Sequence, residues 1–216
     1  MKAAPVKPVQ ALFLDFDGVM VESVEIKSKA FRTLYADQPA DVLTRIMAYH
    51  GAHDGVSRVV KLRHCHEQFL GVRLSQTELD ALTRRYAQLV EDAVVNAPWT
   101  PGAQEVLQRY HQRCKLFIVS GTPEDEIKRI AERRAMMTWL TGVYGSPTSK
   151  TDIVRALLSE HDLQAEHCVF IGDAMADWIA ASETGVPFIG RVAEGRPDPF
   201  PKGTRTVCDL RGLTFT

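Results

Sequence analysis

Two carboxylates stand side by side at the end of an apolar segment near the start of the chain. The segment LFLDFDGVM, residues 12–20, places Asp15 and Asp17 directly before Gly18. Like charges this close raise each other's pKa and destabilise a fold unless a cation compensates them. The pair therefore indicates either a solvated turn or a site that does chemistry with a positive partner.

Two further apolar runs also end in polar residues. Ser120 and Gly121 follow the run LFIV, while Asp173 follows the run CVFI and precedes Asp177 by four residues. Because the carboxyl ends of parallel strands meet at one edge of a sheet, we expect these residues to converge with Asp15 there. Crowded carboxylate oxygens are typical ligands of Mg²⁺, which also takes waters and substrate phosphate. The pattern predicts a Mg²⁺ site whose cation relieves the repulsion between carboxylates.

The composition argues against several classes of partner. Lys and Arg number 26 against 27 for Asp and Glu, so no strong field favours nucleic acid or an anionic membrane. The four cysteines stand far apart without a Cys-x-x-Cys pair, which is typical of a reducing compartment. The first residues lack the apolar segment of a signal peptide, and no apolar run approaches the roughly 20 residues of a membrane span. We expect a soluble, cytoplasmic protein that binds any charged ligand locally.

Short apolar runs alternate with helical patterns along the chain. Each run is apolar without a break, as expected of a strand that is covered on both faces. The four runs are ALFL, LFIV, CVFI and VPFI, at residues 11–14, 116–119, 168–171 and 186–189. Alternation of strands and helices predicts an α/β fold built on a doubly wound parallel sheet.

Several residues carry signals for the ends of helices. Thr100 and Thr122 are each followed by proline, a pairing that predicts an N-cap and a first helical position. Ser149 with Asp152 predicts a third helix start, and Gly185 predicts the end of a fourth helix.

Residues 21–96 break the alternation, because they contain helical patterns and no convincing buried strand. Ser75 and Glu78 form the capping box of the clearest helix. The apolar residues that repeat at helical spacing after it, and that we expect to be buried, are Leu79, Leu82, Tyr86 and Leu89. The Pro- and Gly-rich segment NAPWTPG is a return linker. These patterns predict a helical insertion at 21–96 within a core domain made of residues 1–20 and 97–216.

Taken in order, DFDGV, SGT, Lys150 and GDAMAD resemble the four motifs of the haloacid dehalogenase-like superfamily, and specifically of its phosphatases. The resemblance covers the whole chain. The insertion is similar to the small helical cap of the branch that contains phosphoglycolate phosphatase and β-phosphoglucomutase. It implies a Rossmann-like core domain with an inserted helical cap domain.

The resemblance also implies roles for residues at matching positions. Asp15 would be the nucleophile that attacks phosphorus and forms an aspartyl-phosphate. Asp17 would protonate the departing oxygen and then deprotonate the hydrolytic water, with its backbone carbonyl touching the metal. Ser120 and the backbone N–H of Gly121 would bind the phosphoryl oxygens, and Lys150 would neutralise charge between phosphate and nucleophile.

Mg²⁺ is the cofactor that the resemblance implies. Its site would comprise Asp15, Asp17, Asp173 and Asp177, with Asp177 either a ligand or a partner that orients one.

Specificity for the substrate would come from the insertion. Arg58 ends the segment YHGAHDGVSR, which we interpret as a loop, and could clamp a carboxylate or second phosphate of the leaving group with its forked guanidinium. A solvated Arg58 at a helix start is the equal alternative. Lys27, in the first helix of the insertion, could face the active site, and a Schiff-base lysine in phosphonate-hydrolysing relatives keeps that chemistry open.

Three functions compete on these residues. The leading hypothesis is a Mg²⁺-dependent phosphatase for a small phosphorylated metabolite. The runner-up is a phosphomutase or a phosphonate hydrolase on the same scaffold. A catalytically silent binding module is the third, and its mark would be the loss of one of the residues Asp15, Asp17, Lys150 and Asp173, all of which are present. The sequence leaves the substrate and the oligomeric state open.

Overall fold

The fold is centred on a six-stranded parallel sheet, seen in a computed structural model that describes residues 8–215. The strands are β1 (Ala11–Leu14), β2 (Lys115–Pro123), β3 (Gly142–Ser146), β4 (Cys168–Gly172), β5 (Phe188–Arg191) and β6 (Thr206–Val207). Their order across the sheet is β3-β2-β1-β4-β5-β6, and every neighbouring pair is parallel. The chain winds outward from β1 in one direction and from β4 in the other, which confirms the predicted doubly wound sheet.

Register places the ends of the three central strands at one edge. Leu14 of β1 pairs with Ile118 of β2 and with Ile171 of β4. The next backbone N–H, that of Asp15, still donates to the carbonyl oxygen of Ile171 at 2.9 Å. The residues after these strands therefore leave the sheet at the same level, at the point where the winding reverses.

Eight α-helices within residues 8–215 accompany the sheet, and the first five of them lie between β1 and β2. The first four are α1 (Val24–Leu34), α2 (Ala40–Ala52), α3 (Arg58–Cys65) and α4 (Gln76–Val95). The others are α5 (Ala103–Tyr110), α6 (Glu124–Arg133), α7 (Lys150–Glu160) and α8 (Met175–Thr184). Helices α1 to α4 all fall inside the predicted insertion, and the exact division into two domains stays a prediction. No helix in the described part of the chain is long and apolar enough to cross a membrane.

Three of the predicted helix ends are confirmed. The Ser75 side chain accepts from the Glu78 backbone N–H and the Glu78 carboxylate accepts from Ser75, which is the predicted capping box. Ser149 accepts from the backbone N–H of Asp152 at 3.1 Å. Gly185 ends α8 with a φ of +72°, in the left-handed region where glycine is favoured.

The two Thr-Pro signals predicted helix starts at the wrong residues. Helix α5 begins at Ala103, after Gly102. Thr100 does not cap it, since its Oγ1 has no hydrogen-bond partner within residues 8–215, and its backbone N–H donates to the distant carbonyl of Met20. Helix α6 begins at Glu124, because β2 continues through the second Thr-Pro pair. In both places contacts with distant residues decide where the helix begins.

The buried face of α4 differs from the predicted face at its last position. Leu79 and Tyr86 are buried as expected and Leu82 is half-buried, but Leu89 is 40% exposed, and Val90 is buried instead. At about 100° per residue, Val90 lies roughly 20° around the helix from Leu79, whereas Leu89 lies roughly 80° away. At Leu89 the predicted apolar residues therefore depart from the face of α4 that packs against the rest of the protein.

Strand prediction succeeded for buried runs and failed at the margins. Strands β1, β2 and β4 cover the predicted runs, and β5 begins at Phe188, two residues later than expected. Strands β3 and β6 were not predicted, since β3 contains Gly142 and Gly145 and β6 has two residues at the sheet edge. Alternate side chains of β1 enter separate apolar clusters on the two faces of the sheet, with Leu12 on one side and Phe13 on the other.

Candidate active site

The end of β1 delivers Asp15 into a buried ion cluster. Lys150, the first residue of α7, places its Nζ 2.9 Å from Asp15 Oδ1 and 2.6 Å from Asp177 Oδ1. The Ser149 cap directly before it starts the helix, so the lysine backbone is held in place at the sheet edge. All three charged side chains are buried. One ammonium thus bridges two carboxylates from elements far apart in sequence.

Asp177 is fixed on both of its oxygens. Its Oδ1 accepts from Lys150, and its Oδ2 accepts from the backbone N–H of Ala174 at 3.0 Å, which caps α8. A Cβ built on Gly172 would lie 2.2 Å from the Cβ of Asp177, so only glycine lets β4 and α8 approach this closely. The carboxylate is therefore a rigid anchor for Lys150.

Asp15, Asp173 and Asp177 form an acidic cluster that one ammonium does not balance. One oxygen from each lies within 4.8 Å of the others, and this is the only such His, Cys, Asp or Glu group with possible metal-ligand geometry among residues 8–215. Burial and the charge of Asp177 raise the pKa of Asp15 to about 7, although Lys150 opposes them. Burial, Asp15 and Asp177 likewise raise the pKa of Asp173 well above its ordinary value. A divalent cation would remove this repulsion, so the residues fit the predicted Mg²⁺.

The carboxylate of Asp17 lies outside that cluster. It accepts from Ser23 Oγ at 2.6 Å, from Lys27 Nζ at 2.5 Å and from Thr122 Oγ1 at 3.3 Å. Burial alone would raise its pKa, but the charge and hydrogen bond of Lys27 outweigh burial and hold the pKa of Asp17 below its ordinary value. The two neighbouring aspartates thus have opposite pKa shifts, because burial and Asp177 outweigh Lys150 at Asp15, whereas Lys27 outweighs burial at Asp17.

The polar residues after β2 lie at the same edge. Ser120 is buried, and its Oγ accepts from the backbone N–H of Thr122 at 3.1 Å. Gly121 lines the cavity next to Asp15, and a Cβ there would lie 2.5 Å from the carbonyl oxygen of Gly55, in the loop between α2 and α3. This close approach brings the insertion directly onto the sheet edge.

A partly open cavity lies between the insertion and the sheet edge. Asp15, Asp17 and Asp173 line it from the sheet edge, and Lys27 and Lys61 line it from the insertion. The carboxylates of the sheet edge and the cations of the insertion therefore line one shared cavity.

Arg58 also lines the cavity, but its guanidinium is already bound. Its Nη1 and Nη2 donate to Oε2 and Oε1 of Glu126 at 2.8 and 2.6 Å, and both side chains are buried. The guanidinium carbon lies 4.4 Å from the ring centroid of Tyr86. Arg58 begins α3, so the predicted loop is shorter than expected, because α2 extends to Ala52. The fork predicted to clamp substrate joins α3 to α6 instead.

Lys27 faces the site, and other residues there went unrecognised in the sequence. Its Nζ donates to Asp17 and also to Thr122 Oγ1 at 2.6 Å, so a threonine interpreted as a helix cap has a place in the site. Lys61 was missed as well. Its signal is the spacing of Arg58, Lys61 and Leu62, which places two cations on the apolar face of α3.

Solved structures with the same fold come from several bacteria. A structure described as a predicted phosphoglycolate phosphatase from Haemophilus somnus 129pt matches with a TM-score of 0.74 and 17% identity, over 95% of this chain and 96% of that one. CbbY from Rhodobacter sphaeroides, in complex with phosphate, matches with a TM-score of 0.72 and 14% identity over the same shares. At these identities the likeness concerns the fold.

One curated relative matches part of the sequence. A 5′-nucleotidase from Pseudomonas aeruginosa is 36% identical over 80 residues, which are 35% of this chain and 36% of that protein. The chain therefore matches about a third of the length of this relative.

The family match is much longer and covers the whole site. The haloacid dehalogenase-like hydrolases match residues 9–185, a range that includes the first strand, the insertion and all the buried carboxylates described above. Since this range is well over half of the sequence, the chain belongs to the haloacid dehalogenase-like hydrolase family.

Proposed function

We propose that the protein is a Mg²⁺-dependent phosphatase that hydrolyses a small phosphorylated metabolite through an aspartyl-phosphate at Asp15. The observation that carries this proposal is the buried Asp15 carboxylate at the sheet edge. It lies 2.9 Å from Lys150 and within a cluster of three carboxylates that calls for a further cation. The fold of the phosphate complex of CbbY and the 5′-nucleotidase relative support the same class of reaction.

The residues that would hold Mg²⁺ are not equivalent. Asp15 and Asp173 are the proposed carboxylate ligands, joined by the backbone carbonyl of Asp17 as the family resemblance implies. Asp177 accepts hydrogen bonds on both oxygens, which favours the orienting role that the sequence left open. Once bound, Mg²⁺ would neutralise charge on the carboxylates and on the phosphoryl oxygens.

The chain's own residues supply the steps of the reaction. An oxygen of Asp15 forms a bond to phosphorus as the bond to the leaving oxygen breaks. Asp17, whose pKa Lys27 holds low in the ligand-free chain, first takes up a proton and then gives it to the leaving oxygen. Asp17 then takes a proton from the water that attacks phosphorus, which releases phosphate and restores the Asp15 carboxylate. Ser120 Oγ, the Gly121 N–H and Lys150 bind the phosphoryl oxygens and stabilise their charge.

Alternatives on the same scaffold differ in where the phosphoryl group goes. A phosphomutase would return it to a sugar phosphate, and a phosphonate hydrolase would cleave a carbon–phosphorus bond. Lys27 faces the cavity, but its Nζ donates to Asp17 and Thr122, contacts that favour a positioning role over a covalent one.

The four cysteines are unpaired, which supports the proposed cytoplasmic location.

Hydrolysis of p-nitrophenyl phosphate tests the proposal. We expect Mg²⁺-dependent turnover, with Asp15→Asn lowering kcat by about 10⁴-fold or more because the nucleophile is lost. Asp37→Asn, a change at an exposed aspartate on the insertion, is the matched control and should keep full activity. Full turnover in EDTA or in Asp15→Asn would contradict the mechanism.

A second measurement does not depend on turnover. Mg²⁺ should raise the Tm of the wild type by relieving repulsion in the cluster, and this rise should shrink in Asp173→Asn. A Tm that does not respond to Mg²⁺ in the wild type would contradict the metal site.

A further inference from the structure

Three cations from the insertion line the cavity, and two of them are already paired. Lys27 donates to Asp17, and Arg58 donates to Glu126 through both arms of its fork. The third is Lys61, whose side chain is 6% exposed. Within the described residues its ammonium makes no ion pair and no hydrogen bond. A buried cation without a partner is costly, so its retention calls for an explanation.

Lys61 has apolar neighbours, and the charges near it shift its pKa in opposite directions. It lies on the buried face of α3 beside Leu62, with its Nζ 6.0 Å from the ring centroid of Phe31. Burial lowers the pKa of Lys61 to about 8; among the nearby charges, Lys27 adds to this, while Asp54 and Asp17 oppose it. The amine is therefore still largely protonated at neutral pH, and it faces the cavity as an unpaired positive charge.

His50, another residue that lines this cavity, has a polar atom that is unpartnered among the described residues. His50 is 4% exposed, and its Nδ1 has no hydrogen-bond partner within residues 8–215. Its ring stacks on Phe31 with centroids 4.2 Å apart, while Nε2 lies 3.4 Å from Ser28 Oγ. Burial and the charges of Lys61 and Lys27 lower the pKa of His50 to about 3, so the imidazole is neutral. A neutral imidazole nitrogen can complete the hydrogen bonding of a ligand without adding charge.

We propose that Lys61, assisted by His50, forms a subsite for a second anionic group on the part of the substrate that leaves. The preferred substrates are then small phosphomonoesters that also carry a carboxylate or a second phosphate. This inference rests on the proposed phosphatase function and names its substrate class. It moves the anion-binding role expected of Arg58 to a cation one turn further along α3.

An anion fits this place better than a neutral group does. A buried ammonium gains most from a charge-assisted hydrogen bond, whereas a hydroxyl would leave its charge uncompensated. Asp54 also lines the cavity and its charge favours the protonated amine, but it forms no ion pair with Lys61 within the described residues. Lys61 and the Asp15 nucleophile line the same cavity, so one ligand in it can contact both.

Matched pairs of substrates test the subsite in the wild-type enzyme. The first pair is 3-phosphoglycerate and glycerol 3-phosphate, which differ in a carboxylate against a hydroxymethyl group. The second is 1,3-propanediol bisphosphate and propyl phosphate, which differ in a second phosphate. We expect kcat/KM to favour the doubly anionic member by at least about 10-fold in one pair. The pair that shows the preference identifies the anion as carboxylate or phosphate.

Variants then assign the preference to Lys61. In Lys61→Met the ratio of kcat/KM within the preferred pair should fall by about 10- to 100-fold, mostly through KM, since an anion partner is lost. Lys61→Arg should retain part of the ratio because it keeps the charge. Lys29→Met, which changes an exposed lysine on α1, is the control and should leave the ratio unchanged.

Each contrary outcome has a distinct meaning. A wild type with no preference in either pair overturns the subsite, even if Lys61→Met fails to fold. Equal losses for both members of the preferred pair in Lys61→Met show a structural role and overturn it as well. The proposed function fails separately, in the assay of Asp15→Asn with p-nitrophenyl phosphate, a substrate without a second anion.

Discussion

The sheet edge and the insertion each bury a lysine to nearly the same degree, yet the two lysines are in opposite electrostatic states. Lys150 is 7% exposed and Lys61 is 6% exposed. Burial would lower the pKa of Lys150, but Asp15 and Asp177 outweigh it and raise the pKa above its ordinary value. For Lys61 burial prevails, and its pKa falls to about 8. The depth of burial is alike, so the difference comes from the partners.

This contrast indicates that the sheet edge carries out the reaction, while the insertion recognises the ligand. At the sheet edge Lys150 pairs with both Asp15 and Asp177, and the negative charge left over in their cluster with Asp173 remains for a metal. On the insertion side Lys61 and His50 keep unsatisfied groups next to the same cavity. The ion pairs of Lys150 hold the nucleophile in a fixed geometry, while the unpaired groups of the insertion leave interaction energy for a ligand.

Arg58 and Glu126 show that the insertion also contains complete pairs. Their forked, buried contact joins α3 to α6, and thus the insertion to the core side. The role of a cation on α3 therefore depends on whether a carboxylate pairs with it in the folded protein, and its position in the sequence does not determine this.

The largest effect should come from Lys150→Met, which removes the paired lysine of the sheet edge. Asp15 and Asp177 would lose their shared cation. We expect kcat to fall by about 10³-fold, because a donor to the phosphoryl oxygens is lost. Stability should fall by about 3–5 kcal/mol, because buried carboxylates are left unpaired. Turnover of p-nitrophenyl phosphate and urea denaturation in EDTA measure the two losses.

The pH dependence of that stability loss has a defined sign. A carboxyl whose folded pKa is raised, as that of Asp15 is to about 7, binds its proton more tightly in the folded chain. Stability is then lost as pH rises from about 4 towards the folded pKa, and removal of Lys150 enlarges this loss. The deficit of Lys150→Met should be greater at pH 8 than at pH 5. A deficit that is independent of pH would break the comparison.

A loss of stability similar in size should follow Arg58→Ala, without a loss of the nucleophile. Glu126 would remain buried without its partner, at a cost of about 3–5 kcal/mol measured by urea denaturation. The double change Arg58→Met with Glu126→Leu removes both charges and should restore much of that loss. If the double variant is as unstable as Arg58→Ala, the pair does not act through its charges.

The surface offers a matched control for this prediction. Asp92 pairs with Arg133 at 2.8 Å, but the Asp92 side chain is 85% exposed. Because water screens such pairs, Asp92→Ala should change stability far less than Arg58→Ala does.

The smallest effect, and one of opposite sign, should come from Lys61→Met. Replacing a buried, unpaired ammonium by an apolar side chain of similar length should stabilise the protein by about 1–3 kcal/mol at pH 7. Differential scanning calorimetry of the metal-free proteins measures the gain as a higher Tm. A lower Tm at pH 7 would show that Lys61 has a stabilising partner after all.

The gain in Lys61→Met should vanish in alkaline solution. The pKa of Lys61 is lowered from 10.5 to about 8, so the unfolded chain binds this proton more tightly than the folded chain does. The cost of the buried charge is complete below pH 8, and it is relieved as pH rises from 8 to 10.5. Comparing the two proteins at pH 7 and pH 10 therefore sharpens the contrast with Lys150, whose loss removes stability.

Local signals in the sequence predicted the parts of the fold that local physics controls. Ser75 and Ser149 cap helices as expected, because the bonds they make lie within three residues. Thr100 and Thr122 carried a similar signal but were placed wrongly. Thr122 Oγ1 instead accepts from Lys27, 95 residues away in the sequence, a contact that no local pattern contains.

Charged residues were harder to interpret than apolar ones. The positions of Asp15, Asp173 and Asp177 after predicted strands were enough to predict that they lie together, because parallel strands end at one edge of the sheet. Arg58 and Lys61 lie three residues apart on one helix, and either could have faced solvent, substrate or a carboxylate. Their different fates depend on Glu126, which lies 68 residues from Arg58.

The order of strands and motifs was enough to identify the parallel sheet, its family and the carboxylates at its edge. The reason is that strand order and helix caps constrain where backbone segments end. Only the folded chain decided which cation meets which carboxylate. Coulomb energies depend on distances and burial between residues remote in sequence, so pairing Arg58 with Glu126 and leaving Lys61 unpaired are outcomes of tertiary packing.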